Sequence, residues 1–318
     1  MKIVILDGHA LNPGDLSWDF LRQFGKVTVY PRTPAELAAA RIGDADIVLL
    51  NKIPITAATL EACPNLKLIC VLATGYNVVD CTAAKERGIP VCNVPDYGTA
   101  AVAQFTFALL LELCHQVGHH AQTVRQGKWC QSPDFCYWDT PQMELAGKTM
   151  GIIGFGRIGR AVGKIANAFG MKVIAYNRSQ CAEGATIGDY VNFDALLAES
   201  DILSLHCPLS AENTGLINAE AIGKMKDGAI LLNTARGPLV DESAVATALK
   251  SGKLRGFACD VVSFEPMDAD NPLKDAPNCI VTPHMAWAPV ESRQRILACT
   301  EQNIRSFLEG RPIHTVNM

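Results

Sequence analysis

One run near the middle of the chain constrains the fold more than any other: Thr149-Met-Gly-Ile-Ile-Gly154-Phe-Gly156-Arg157-Ile158-Gly159-Arg160. A β-branched apolar segment leads into G-x-G-x-x-G, and a helical pattern follows over Ile158–Phe169. Glycines at this spacing are a weak signal alone, but between a strand and a helix they form a dinucleotide-binding fingerprint. Gly154 permits the tight turn, Gly156 lets backbone approach a pyrophosphate, and Gly159 lets the helix pack closely on the strand. The helix N-terminus then offers amide donors to phosphate oxygens. The competing reading, a purely structural glycine turn, does not explain why all three glycines sit in this context.

The rest of the chain repeats the same grammar. Short β-branched runs alternate with helical patterns, the mark of βαβ units and parallel sheet. The first set of strands is expected over Ile3–Leu6, Lys26–Tyr30, Ile47–Leu50, Leu68–Val71 and Val91–Asn93, punctuated by Thr56, Asn65 and Pro90. A long apolar helix is expected over Thr99–Gln122, followed by an aromatic, turn-rich section over Arg125–Thr140. A second set covers Thr149–Ile153, Lys172–Tyr176, Ile202–Leu205, Ala229–Asn233, Gly256–Asp260 and Cys279–Val281, and Pro289–Leu308 reads as a final helix. The expected fold is α/β, with two Rossmann-like doubly wound parallel-sheet domains. Because the fingerprint starts mid-chain, a dinucleotide-binding domain (100–288) is expected to be inserted into a discontinuous, flavodoxin-like substrate domain (1–99 plus 289–318).

Composition narrows the class. A chain of 318 residues with 49% hydrophobic and 19% charged content can build two sizeable cores and is not disordered. Net charge is −4 and no Lys/Arg block stands out, so no nucleic-acid partner is expected. Met1-Lys-Ile-Val-Ile-Leu-Asp7 reads as a first strand rather than a signal peptide, and no segment has the apolar length to span a bilayer. The twelve cysteines lie singly, several within apolar runs, so free thiols in a cytoplasmic protein are expected. His115 and His119 have helical metal-ligand spacing but no acidic or cysteine partner nearby; they read as helix-surface residues, and no metal is expected.

The strand after the fingerprint, Lys172–Tyr176, should end in an acid that binds the adenosine ribose hydroxyls of NAD. Instead it runs into Asn177, Arg178 and Ser179. A guanidinium beside a hydroxyl matches phosphate geometry, which favours NADP(H) over NAD(H).

Three charged residues follow apolar runs further on: Arg236 after Ala229–Asn233, Glu265 after Gly256–Asp260, and His284 after Cys279–Val281. Taken singly, each is more often a surface charge or a loop residue. Residues just past the carboxyl ends of parallel strands, however, face the crevice where open α/β sheets bind ligands. An arginine, a carboxylate and an imidazole gathered there are equipped for proton transfer beside a bound carboxylate.

The run Gly151–Gly159, with His206-Cys207-Pro208, Asn233-Thr234-Ala235-Arg236-Gly237, Asp260…Glu265-Pro266 and Thr282-Pro-His284, resembles the D-2-hydroxyacid dehydrogenase family. Leu72-Ala-Thr74-Gly75-Tyr-Asn-Val-Val-Asp80 matches in the first domain, so the resemblance spans the chain in order. It implies that Arg236 binds the substrate carboxylate and carbonyl, that His284 is the acid/base and that Glu265 is its partner. It implies that Thr74, Gly75 and Trp287 complete the substrate site. Arg157, Ile158, Cys207, Pro208, Thr214, Thr234, Ala235 and Asp260 would join Gly154, Gly156, Gly159, Asn177, Arg178 and Ser179 in holding NAD(P). Within the family, Ala73–Asn77 and Pro283–Pro289 are similar to glycerate dehydrogenases and hydroxypyruvate or glyoxylate reductases. D-lactate dehydrogenase acting on pyruvate stays open beside that reading, as does, more remotely, an NAD(P)-sensing corepressor-like protein. The resemblance also implies a homodimer with an arm around Trp138. Two positions depart from the family pattern: the missing ribose acid, and Gln104, where many members have glutamate.

Overall fold

Each apolar run that the sequence sets between helical patterns takes up a parallel strand. The computed structural model describes residues 1–318 and divides into two units, Met1–Gly98 with Ala288–Met318, and Thr99–Trp287. In the first unit, β1 (Lys2–Ile5), β2 (Lys26–Val29), β3 (Ile47–Leu50), β4 (Leu68–Val71) and β5 (Val91–Cys92) form a parallel sheet in the order β2-β1-β3-β4-β5. Every residue of β3 and β4 is buried, as strands covered on both faces must be. The free edge of β5 is covered by the last residues of the chain: Cys92 bridges Thr315 in antiparallel sense, and Val316 donates its amide to Val91 O at 2.9 Å. That contact occupies main-chain groups an edge strand would otherwise expose.

In the second unit, β6 (Thr149–Ile153), β7 (Lys172–Tyr176), β8 (Asp189–Tyr190), β9 (Ile202–Leu205), β10 (Ala229–Asn233), β11 (Leu254–Cys259) and β12 (Cys279–Val281) are all parallel. Their order is β12-β11-β10-β9-β6-β7-β8. The order reverses between β6 and β9, and the crevice at the carboxyl ends there is where such sheets bind ligands. Alternation along each strand splits the core. Leu205, Leu231 and Cys259 pack with Leu196, Val245 and Leu249, while Ile152, Leu232 and Ala258 pack with Phe107, Leu110 and Val162.

Two expectations need correction. The helix expected over Thr99–Gln122 is two helices, Thr99–His115 and Val117–Arg125, bent by 56°. Gln116 breaks them by taking the left-handed conformation (φ 45°). The physical cause is visible in burial: Ala103, Phe107, Leu110 and Cys114 are core residues, whereas the second helix buries nothing. No single helix is long and apolar enough to cross a membrane. His119 does have an acidic partner: its Nε2 lies 2.8 Å from Asp139 Oδ2, brought back from the aromatic section 20 residues on. The two-residue strand β8 carries too few residues to show a sequence pattern. All twelve cysteines are free.

Candidate active site

The fingerprint loop is built by close backbone approach. Gly154 follows β6 with φ 89°, and a Cβ there would stand 2.4 Å from Cys207 N, on the loop after β9. A Cβ on Gly159 would stand 2.2 Å from Gly154 O, so the helix Arg157–Ala168 seats directly on the turn. A Cβ on Gly156 would meet nothing within 4 Å. Two glycines thus hold the crevice shut behind, and the third leaves its front open to a ligand. The first turn of the helix presents main-chain amides toward that opening.

At the end of β7, Asn177 accepts from Phe155 N at 3.2 Å and donates to Ser179 O at 2.6 Å. Its carboxamide braces the glycine loop. Arg178 is exposed and makes no hydrogen bond or ion pair. After β9, Asn213 Nδ2 donates to Pro208 O and Thr214 Oγ1 to Ser210 O, which folds that loop onto itself. His206 shares a 2.8 Å hydrogen bond with Ser204 through Nε2, while its buried Nδ1 has no partner. Burial pushes this imidazole down to about 3, so it is neutral. Burial also raises the Cys207 thiol above its ordinary value. An open glycine floor, helix amides and a free guanidinium fit a dinucleotide.

The trio lies past three successive strands of the same sheet. Arg236 follows β10 and rests its Nη1 on Ala235 O at 2.7 Å. Thr234, just before it, shares a 3.1 Å hydrogen bond with the buried Thr106. Glu265 follows β11: its Oε1 accepts from Val262 N at 3.2 Å, and its Oε2 lies 2.7 Å from His284 Nδ1. With Nδ1 committed to the carboxylate, Nε2 is the imidazole atom left to exchange a proton. His284 has a left-handed backbone (φ 54°), unusual for a residue with a side chain.

What holds His284 there is Asp260, only 1% exposed at the end of β11. Its Oδ1 accepts from Thr282 Oγ1 (2.6 Å) and Met285 N (2.9 Å), and its Oδ2 from Ala286 N (2.7 Å). Expected as a cofactor contact, Asp260 has both oxygens engaged with the histidine loop. Trp287 donates from Nε1 to His284 O at 2.9 Å, tying itself to the same loop. Thr74 and Gly75 belong to the other unit, where Thr74 Oγ1 donates to Val94 O and Asn93 Nδ2 to Thr74 O. Trp138 is 66% exposed, and Gln104 is exposed on its helix.

Asn177 and Asp260 were expected as cofactor contacts and His206 only as part of a family motif; that the first two brace neighbouring loops, and that His206 is held against Ser204, was not foreseen. Each is a polar residue closing a strand that is otherwise apolar, and that contrast was the available signal.

Residues 107–286 match the family described as D-isomer specific 2-hydroxyacid dehydrogenase, NAD binding domain. The chain is 55% identical over 322 aligned residues to a hydroxypyruvate reductase of Blautia hydrogenotrophica, covering 100% of both. It is 41% identical to a glycerate dehydrogenase of Methylorubrum extorquens, covering 99% of this chain and 98% of that one. Among solved structures, an acyclic imino acid reductase (Bsp5) in complex with NADPH and D-Arg superposes with a TM-score of 0.86 at 32% identity, covering 99% of this chain and 100% of that chain.

Proposed function

The chain belongs to the D-isomer specific 2-hydroxyacid dehydrogenase family, and on that premise we propose that it reduces hydroxypyruvate or glyoxylate with NAD(P)H, preferring NADPH. The observation that carries this reading is the 2.7 Å His284–Glu265 pair, past the strands of the sheet whose switch point bears the glycine loop.

A dinucleotide held by its pyrophosphate at that loop would supply the hydride for the substrate carbonyl. The protein's task is to place the substrate and deliver a proton. The Arg236 guanidinium forks onto the carboxylate and polarises the carbonyl, which fixes one face for attack. His284 Nε2 gives its proton to the oxygen as negative charge develops there. Glu265 accepts at Nδ1, which fixes the ring's orientation and turns Nε2 to the substrate. Trp287 borders the substrate through its tie to the histidine loop.

Arg178 and Ser179 support NADPH over NADH. Asn177 is occupied with the glycine loop, no acid stands at the strand end, and the free guanidinium is available to a ribose phosphate. Thr234, Ala235, Cys207, Pro208, Thr214, Arg157 and Ile158 complete the cofactor surface. Trp129, Phe135 and Trp138, all within one short segment, are 52%, 89% and 66% exposed, apolar surface that supports a homodimer. Free thiols throughout support residence in the cytoplasm.

The test is consumption of NADPH and of NADH, measured separately with hydroxypyruvate, glyoxylate and pyruvate. Faster turnover with NADPH and either of the first two is the expected result. Turnover with pyruvate alone would make the protein a lactate dehydrogenase, and preference for NADH would overturn the role of Arg178.

A further inference from the structure

We infer that Asn233 is the positioning residue for Arg236, the counterpart of what Asp260 is for His284; the inference rests on the proposed role of Arg236. Asn233 closes β10, is 1% exposed, and turns its side chain onto the loop that follows. Its Oδ1 accepts from Ala235 N at 3.0 Å, and its Nδ2 donates to Arg236 O at 2.9 Å. One carboxamide therefore fixes both main-chain ends of the Ala235–Arg236 step. It needs an acceptor and a donor on the same planar group, which among small side chains asparagine alone supplies. Alanine there would remove the partners of the Ala235 amide and the Arg236 carbonyl together, and aspartate would present an acceptor to Arg236 O.

A second contact fixes the loop laterally. A Cβ on Gly237 would stand 1.9 Å from Val262 C and 2.0 Å from Val262 O, so the arginine turn lies backbone to backbone against the segment leading to Glu265. Val262 in turn donates its amide to Glu265. The two strand ends are also joined directly, Asp260 N donating to Asn233 O at 3.0 Å. Asn233 and Asp260 thus stand side by side at the ends of adjacent strands. Each clamps the loop that carries one reacting side chain, and a main-chain hydrogen bond couples the clamps. Carboxylate grip and proton delivery must act on the same small substrate, and misplacement of about 1 Å can cost ~100-fold in rate. This pair sets the spacing at its root, on the rigid sheet.

The test is Asn233→Asp, nearly isosteric, with Asn233→Ser alongside. A protonated aspartic acid donates to Arg236 O as the amide does, whereas the carboxylate repels it. For Asn233→Asp, KM for hydroxypyruvate should rise tenfold or more at high pH and recover toward wild type as pH falls. NADPH affinity, measured by fluorescence titration, should stay within twofold. Asn233→Ser should raise KM at every pH without recovery. KM within twofold of wild type in either folded variant would overturn the inference, as would equal loss of NADPH affinity, the mark of a general structural role. If one variant does not fold, the other decides by the same readout; if neither folds, the carboxamide is a stability element and the inference fails. Wild-type protein that turns over no 2-keto acid would instead sink the functional reading beneath it.

Discussion

Acid should weaken this fold through one histidine that takes no part in the proposed chemistry. His206, at the end of β9, is held neutral by burial, its folded value pushed down to about 3. Unfolded, the imidazole takes up a proton near its ordinary pKa of 6.5. The folded state binds the proton less readily, so below that value protonation shifts the balance toward the unfolded chain. The stability contributed by burying the neutral ring is complete above pH 6.5 and is lost as pH falls toward 3. With those two values, the loss between pH 7.5 and pH 5.0 is about 2 kcal/mol, and the limiting slope is about 1.4 kcal/mol per pH unit for one proton. Carboxylates stay ionised over most of that window. Urea unfolding at several pH values should show wild type losing about 2 kcal/mol relative to His206→Gln, which keeps a polar group toward Ser204 but cannot titrate. Parallel pH dependence in the two proteins would refute the assignment.

Other perturbations separate the parts of the site. Gly159→Ala places a methyl 2.2 Å from Gly154 O, so the helix must lift from the turn; about 1–3 kcal/mol of stability and at least tenfold in NADPH affinity should go, measured by unfolding and by titration. Arg178→Ser should raise KM for NADPH tenfold or more while leaving NADH unchanged, and an equal effect on both cofactors would contradict the ribose-phosphate contact. Thiol reactivity should follow local environment. The exposed Cys181 is lowered by the Gly184 amide and Tyr190, whereas burial pushes Cys92 and Cys279 up to about 12, so alkylation at mildly alkaline pH should modify Cys181 well before either, as read by peptide mass mapping.

Much of the architecture was legible because burial on both faces of a parallel strand demands uninterrupted apolar residues. Ile47–Leu50, Leu68–Val71, Thr149–Ile153 and Ala229–Asn233 read from sequence with the bounds they have in the fold. Gly154 and Gly159 were legible for a related reason, since no other residue tolerates a backbone atom within 2.4 Å of where its Cβ would be. The break at Gln116 was not legible. Apolar periodicity continues past Cys114 far enough to suggest one helix, and only the loss of a surface to pack against ends it. The Asp139 partner of His119 was hidden for a different reason, as 20 residues and an irregular loop separate them. The bracing carboxamide and carboxylate at Asn233 and Asp260 fall between these cases. Their polarity after apolar runs was visible, but which loop each would clamp depended on hydrogen-bond geometry that only the folded chain defines.

The central claim is that His284 delivers the proton while Glu265 holds it in place. His284→Ala tests that most directly, with hydroxypyruvate turnover and NADPH binding measured on the same preparation. The account predicts that turnover falls by about 100-fold to 10,000-fold, the usual worth of a positioned general acid, while NADPH binds as in wild type. Turnover within tenfold of wild type, or loss of NADPH binding along with activity, would contradict it.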